Sequence, residues 1–518
     1  MKSFVSRFGS LIRFCLSGFD RIRLRGDSRR LNNARGVDSY LYCKGVRYVD
    51  YPDFAKNLTE NLCQATEKQA LTEDVPLKHL NSPTLDKEEA ALQLAQAHAR
   101  TSGRIALITS VELCDTYRLR KVGEKGWVKP VKERGKCLHY YHYFLHQDLG
   151  LCYVRVQSWF PFSIRVGLNG RQWLYRQLDQ RGVSFTRRNN LLLSVAQPTL
   201  AQELLDEQCR ADWRTLLDKL VRPVHPLWSE LQQTGDTPYW TAEQTEWATD
   251  FVFRNRADLA LWYPRWIRQG IETFSCRDVL RYLGKKVPAE SYGHLGEVKI
   301  DLRERVEGTR LKYWYAGNAS KFYDKEGWAM RLETIINSPK GFRVFRHLEG
   351  AHPKDAKEWL PLRKGVADMK RRAEVSHACN QRLAEGLATV AEPEQLGNVL
   401  KPLGQPVVKN GRRHARALNP LTGADGELLR CIAQGKYLIE DFRNQDVRQY
   451  LYGDSKDAEQ RRRQAAATTR KLTLLRAHGI IKKVPKSHKY RLTVAGRRIV
   501  TAVLAAHACD INRLTQSA

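Results

Sequence analysis

Five side chains suited to phosphoryl transfer crowd into one short run of this chain: Tyr315, Lys321, Tyr323, Arg331 and Glu333. A tyrosine can attack a phosphodiester and hold the product as a phosphotyrosyl link, once its phenol gives up a proton with an ordinary pKa of about 10. A nearby lysine and arginine favour the phenolate and steady the charge of the phosphorane. A carboxylate takes the phenolic proton or holds a divalent cation. The roles that follow are Tyr323 as nucleophile, Tyr315 as its rival, Lys321 and Arg331 as charge stabilisers, and Glu333 as base or as ligand to Mg²⁺ or Mn²⁺. The same residues on adjacent strands also make an ordinary cross-strand charge ladder, and the sequence leaves both readings open.

These side chains meet only if the hairpin carrying them has the right register. Strands are predicted near 297–306, 309–316, 320–324 and 328–337. A two-residue Glu326-Gly327 loop would split the set between the two sheet faces. It would also hold Glu326 at positive φ, at a cost of about 1–2 kcal/mol. A three-residue Lys325-Glu326-Gly327 loop needs only Gly327 in the left-handed region and pairs Asp324 with Trp328. It places Lys321, Tyr323, Arg331 and Glu333 on one face, and this second register is the expected one.

The run from Tyr313 through Tyr315, Gly317, Ser320 and Tyr323-Asp324-Lys325 to Arg331 and Glu333 resembles the Tyr…Gly…Ser…Tyr-Asp-Lys…Arg-x-Glu segment of plasmid and filamentous-phage rolling-circle replication initiators. That resemblance implies a DNA nickase that works with a tyrosine and a divalent metal. Tyr315 occupies its Tyr-x-Gly position. The His-hydrophobic-His pair that holds metal in the commonest rolling-circle nickases is missing from the sequence. More broadly, the chain resembles an uncharacterised bacterial, mobile-element-like family that ends in a winged helix, which implies no particular activity.

The C-terminal quarter carries the densest positive charge. Between 455 and 498 stand Lys456, Arg461, Arg462, Arg463, Arg470, Lys471, Arg476, Lys482, Lys483, Lys486, Lys489, Arg491, Arg497 and Arg498, opposed only by Asp457 and Glu459. The pattern there is helix, turn, two strands and helix. Helices are predicted at 425–433, 444–450, 457–477 and 495–507, with a hairpin at 480–484 and 489–493 whose tip includes Lys486 and His488. In helix-turn-helix docking one helix enters the major groove while flanking elements grip phosphate. Arg461, Arg462, Arg463 and Arg470 would then face the groove, with Lys482, Lys483, Lys486 and Lys489 towards the backbone, and Lys471 and His488 belong to the same nucleic-acid-binding set. A basic dimerisation or RNA-contacting module would have the same composition.

The whole chain supports a polyanionic partner, with 87 basic against 56 acidic residues, a formal charge of +31 and a pI near 9.8. Each phosphate neutralised by such a surface releases condensed counterions. DNA is favoured over RNA as that partner, and a membrane is not expected, because 1–16 is short and broken by Arg7 and Arg13. Eleven scattered cysteines without a C-x-x-C fit reduced thiols and a cytoplasmic location. A phosphate-binding G-x-x-x-x-G-K-[ST] loop and a serine-hydrolase elbow are both missing from the sequence, which argues against ATP-driven work and acyl transfer.

Other clusters carry less. His139 and His142 point to opposite faces of a strand and cannot converge on one ion. Glu246, Asp250 and Asp301 would make a nuclease-like carboxylate set for metal. The aromatic strands around 140–144 and 153–162 suit either base stacking or a core. The expected architecture is α+β and multidomain: an N-terminal α/β region (1–100), a first α+β core (101–235), a second α+β core with the candidate meander (236–392), a linker (393–423) and a winged-helix domain (424–518). The expected function is nucleic-acid binding for a bacterial mobile element, with metal-assisted tyrosine nicking in replication initiation. The alternatives are a non-catalytic DNA- or structured-RNA-binding protein and a carboxylate–metal nuclease.

Overall fold

The computed structural model describes residues 1–508 apart from 124–125, 286–296, 307, 349, 351, 353, 391–395, 410–411, 436, 438–439, 456 and 486. The described chain is mixed α/β, with sixteen helices and one large mixed sheet. Among the described residues, thirteen strands precede residue 340: β1 (Ile12–Ser28), β2 (Leu77–Leu80), β3 (Gly103–Val122), β4 (Trp127–His146), β5 (Gly150–Gln157), β6 (Ile164–Asn169), β7 (Phe185–Arg188), β8 (Leu191–Val195), β9 (Pro238–Phe253), β10 (Lys299–Arg305), β11 (Gly308–Tyr315), β12 (Asn318–Lys325) and β13 (Ala329–Ile336). Eleven of them form one sheet in the order β10-β11-β12-β13-β9-β1-β6-β5-β4-β3-β2. Only β2 runs parallel to its neighbour.

Strands expected in separate cores therefore share one ladder. The seam is β1, an N-terminal strand that pairs with β9 on one side and β6 on the other. Its apolar alternation (Phe19, Ile22, Leu24) fills one face, where helices of the first half pack. The meander buries Leu311, Tyr313, Phe322, Leu332 and Met330 on that side of the sheet, against the helices Arg256–Glu272 and Met369–Leu387. Residues of the opposite parity face the other way, and there the polar side chains collect.

The 393–423 stretch holds a short helix, Leu396–Leu400, and two short paired strands, so it is more than a connector. It also sends Leu403 and Leu418 into the C-terminal core. That core is built from the helices Gly423–Ile432, Asn444–Tyr452, Ala458–Ala477 and Val494–Ala508 and a three-stranded sheet of 442–443, 489–492 and 481–483. The aromatic side chains Tyr140, Tyr141, Tyr143 and Phe160 are all buried, which makes them core packing and not an open stacking platform. His139 and His142 are likewise buried, on opposite faces of β4.

Candidate functional site

The hairpin between β12 and β13 brings four of the five expected side chains together, by a turn that differs from expectation. Pairing runs Lys325 with Ala329, Tyr323 with Arg331 and Lys321 with Glu333. The parity matches the expected register, so the shared face is kept, but the pairs lie two residues further along. Glu326 and Gly327 both adopt positive φ, 57° and 68°. Trp328 closes the turn on the Lys325 carbonyl and is left out of the ladder. The strain at Glu326 is offset by anchoring: its carboxylate takes Arg188 at 2.9 Å and the Asn189 amide at 2.7 Å. Both anchors come from the β7–β8 hairpin, which is remote in sequence.

Tyr315 is not part of the group. It sits at odd parity beside Tyr313, on the face packed against helices, whereas Arg310 pairs with Tyr323 on the other. The two-residue period of a strand decides this. Asp301 does not join Glu246 and Asp250 either; it pairs with Arg303 and Arg310 at 2.8 Å on the outer strands.

Around Tyr323 the buried polar face is continuous. The Tyr323 hydroxyl donates to Glu333 Oε1 at 2.6 Å, while Lys321 Nζ is in direct contact with the other Glu333 oxygen. Lys321 also lies 3.6 Å from Glu246 of β9. Arg331 is fully buried and holds Asp250 with Nε at 2.5 Å, donates to the Asn190 carbonyl at 2.8 Å and approaches Asp20 at 3.5 Å. Asp20 accepts the Asn190 amide at 2.9 and 3.1 Å.

Arg171 completes the set, 3.0 Å from Asp250. It opens the helix Gly170–Gln180, which Asn169 caps through its side chain. A Cβ on Gly170 would lie 2.2 Å from the Phe19 carbonyl, so glycine is what lets this helix start against β1. A bulge between Phe19 and Ile22 on β1 sets Asp20 inward and leaves Arg21 exposed.

Asp20, Glu246 and Glu333 offer carboxylate oxygens that all lie within 4.8 Å of one another. Burial opposes charge on Glu333, but Lys321 and Arg331 outweigh it and hold the carboxyl down to about 2. Glu246 goes the other way: burial raises it, and the Glu333 and Asp20 charges reinforce the rise against Lys321. The two acids are thus shifted in opposite directions, Glu333 by the cations beside it and Glu246 by burial. Burial also pushes the Tyr323 phenol well above its ordinary range, and Glu333 adds to the shift more than Arg331 relieves it. The expected phenolate-favouring effect of Lys321 and Arg331 is therefore overturned by desolvation.

Sequence reasoning found Glu333 and Glu246 but missed Asp20, Asn190 and Arg171. Asp20 had a signal, as a lone acid directly after the largely apolar run from Phe14 to Phe19. Asn190 and Arg171 had none, because tertiary packing alone brings them in. Beyond the cluster, exposed Arg21 leads into a groove of about 860 Å³ lined by Arg23, Arg165, Glu88 and Tyr153 among others. On the far side stand Lys312 and Trp314, with the Lys312 ammonium 3.5 Å from the Trp314 ring centroid. Burial together with Lys321 and Arg310 lowers Lys312 to about 8.

In the C-terminal region Arg461, Arg462, Arg463, Arg470, Lys482, Lys483 and His488 are exposed, and Lys471 and Lys489 half-buried. Lys486 lies outside the described residues. Arg461 stands on the helix row of the buried Thr468 and Leu472, so Arg462, Arg463 and Arg470 make the outward stripe. Arg463 is held by Glu459 at 2.5 Å. Among the described residues no helix is long and apolar enough to cross a membrane. Comparison of the chain with protein-family models, with curated proteins and with solved structures finds no match.

Proposed function

We propose that this protein binds DNA and cuts a phosphodiester bond with a divalent metal held by Asp20, Glu246 and Glu333. The observation that carries the reading is the convergence of three buried carboxylates from three strands within 4.8 Å, beside exposed Arg21 at the edge of an open groove. Mg²⁺ or Mn²⁺ bound there supplies Lewis acidity and a water of lowered pKa. The chain's own residues do the rest. Lys321 stands beside two of the carboxylates to meet a phosphate oxygen, Arg331 and Arg171 hold Asp250 and keep the face rigid, and the Tyr323 hydroxyl orients Glu333.

The C-terminal region fits a winged helix. Its helices, three-stranded sheet and final helix follow that element order, and the outward Arg462, Arg463 and Arg470 suit a duplex groove. With the resemblance to replication initiators, this supports a role in nicking DNA for a bacterial mobile element.

The deciding experiment incubates supercoiled plasmid with the protein and Mn²⁺ or Mg²⁺. Nicked circles are expected with the wild type and not with Glu333→Gln or Asp20→Asn, and Mn²⁺ binding read by paramagnetic resonance should fall with them. A wild type that binds no Mn²⁺ and cuts nothing would remove the proposal.

A second reading makes Tyr323 the nucleophile, favoured by its place 2.6 Å from the Glu333 carboxylate, inside the carboxylate cluster. Denaturing gels separate the two: a DNA adduct lost in Tyr323→Phe supports tyrosine, and cutting without adduct supports water.

A further inference from the structure

The strands β3 and β4 run well past the sheet that roots them. β2 stops beside Ser110 and β5 stops beside His139, so among the described residues 111–122 and 127–137 pair as strands only with each other. At ~3.3 Å per residue each arm is about 40 Å long. The base of this ribbon is fastened. Tyr51 donates to the Tyr117 carbonyl at 3.0 Å, Gln157 donates to the Asp115 carbonyl at 3.0 Å, and Tyr117 is buried.

The outer part is cationic. Within 115–136 the sequence has Arg118, Arg120, Lys121, Lys125, Lys129, Lys132, Arg134 and Lys136 against Asp115, Glu124 and Glu133. Arg120 and Lys129 face each other directly across the ribbon, and Arg120 leans on Glu133 at 2.6 and 3.0 Å, which leaves the Lys129 charge to an outside anion. Glu133 answers Arg120 and Arg118 on one face, and Asp115 answers Lys132 on the other. Next to the tip, Trp127 is 65% exposed and Val122 43% exposed. Lysines alone would serve to blunt the edges of an open ribbon. An exposed tryptophan among them does not, since it spends apolar surface on water.

We propose that this ribbon is a second DNA-binding element, which lies along a groove of B-form duplex with its cations on the phosphates and Trp127 against sugar or base. A two-stranded ribbon fits the major groove of B-DNA, about 12 Å wide, whereas the major groove of A-form RNA is too narrow for it. The inference rests on DNA being the partner, as proposed above, but uses none of the carboxylate site or the C-terminal helices.

The test compares wild type with an Arg120→Gln, Lys121→Gln, Lys129→Gln triple variant and with Trp127→Ala. These side chains are surface-exposed, and unchanged thermal unfolding verifies the fold. Fluorescence anisotropy follows binding to a short labelled DNA duplex over a salt series, with an RNA duplex and anionic phospholipid vesicles as parallel ligands. Each lost phosphate contact lowers the log–log salt slope by roughly 0.9, so the triple variant should lose roughly 2–3 and bind DNA at least tenfold more weakly at low salt. Trp127→Ala should weaken binding without changing the slope. Wild-type affinity and slope in the triple variant overturn the inference while leaving the cutting site standing. An equal loss on RNA or vesicles overturns the assignment to duplex DNA. A wild type that binds no DNA overturns both proposals together.

Discussion

At the scale of single residues, the polar face depends on every charge having its partner. Arg331 is fully buried and shared by Asp250, Asp20 and the Asn190 carbonyl. Truncating one member of such a network leaves the others charged in a medium that cannot solvate them. Arg331→Met should therefore cost about 3–5 kcal/mol in urea unfolding. Tyr323→Phe should cost less, about 1.5–3 kcal/mol, because it removes one hydrogen bond to a carboxylate that still has Lys321. Equal costs for the two would show that the face does not act as a charge network. Alternation along β12 and β13 made Lys321, Tyr323, Arg331 and Glu333 legible as a set. Nothing in the sequence told of the burial that turns Tyr323 from phenolate candidate to hydrogen-bond donor.

At the scale of elements, the β12–β13 turn shows how a local cost is settled by a distant neighbour. Glu326 takes a left-handed conformation that a loop rule disfavours, and the β7–β8 hairpin ties down its carboxylate. Glu326→Ala keeps the unfavourable φ and loses both ties, so a loss of about 1–2 kcal/mol is expected by chemical denaturation. Glu326→Gly relieves the φ and loses the same ties, and should fall nearer to wild type. An alanine variant as stable as the glycine one would contradict this account. In the helix Ala458–Ala477, reversing Arg462, Arg463 and Arg470 to Glu should abolish most duplex binding, whereas Arg461→Glu should do less because it lies on the inward row. Electrophoretic mobility shifts against one duplex would rank the four. The helices and the hairpin of this region were readable from apolar spacing and Gly479. The direction in which each arginine points needed the buried row to be known.

At the scale of the whole molecule, the sheet is one ladder from β10 to β2, and burial in the packing around it opposes charge on two histidines. Burial depresses the His139 imidazole to about 3 and His225 to about 4. Both are neutral when folded and protonate near 6.5 when unfolded. Between these values the unfolded chain binds protons that the folded chain refuses, so stability must fall as pH drops from about 6.5 towards 4. His225 alone contributes roughly 3 kcal/mol to that fall. Glu333, held at about 2, adds a second loss only below its ordinary 4.5. Urea midpoints recorded from pH 7 to pH 4 should decline steadily and decline less in His225→Gln. A flat profile would mean these histidines are solvated.

Composition and periodicity by themselves determined that the chain is mixed α/β, that it is strongly basic, and that one meander aligns a lysine, a tyrosine, an arginine and a glutamate on a single face. Those properties are local: they follow from side-chain charge and from the two-residue repeat of a strand. What only the folded chain decided is non-local. β1, from the first thirty residues, was inserted between strands far away in sequence, and it brought Asp20 to Glu246 and Glu333. The carboxylate cluster exists because backbone hydrogen bonding in a sheet pairs strands without regard to their distance along the chain.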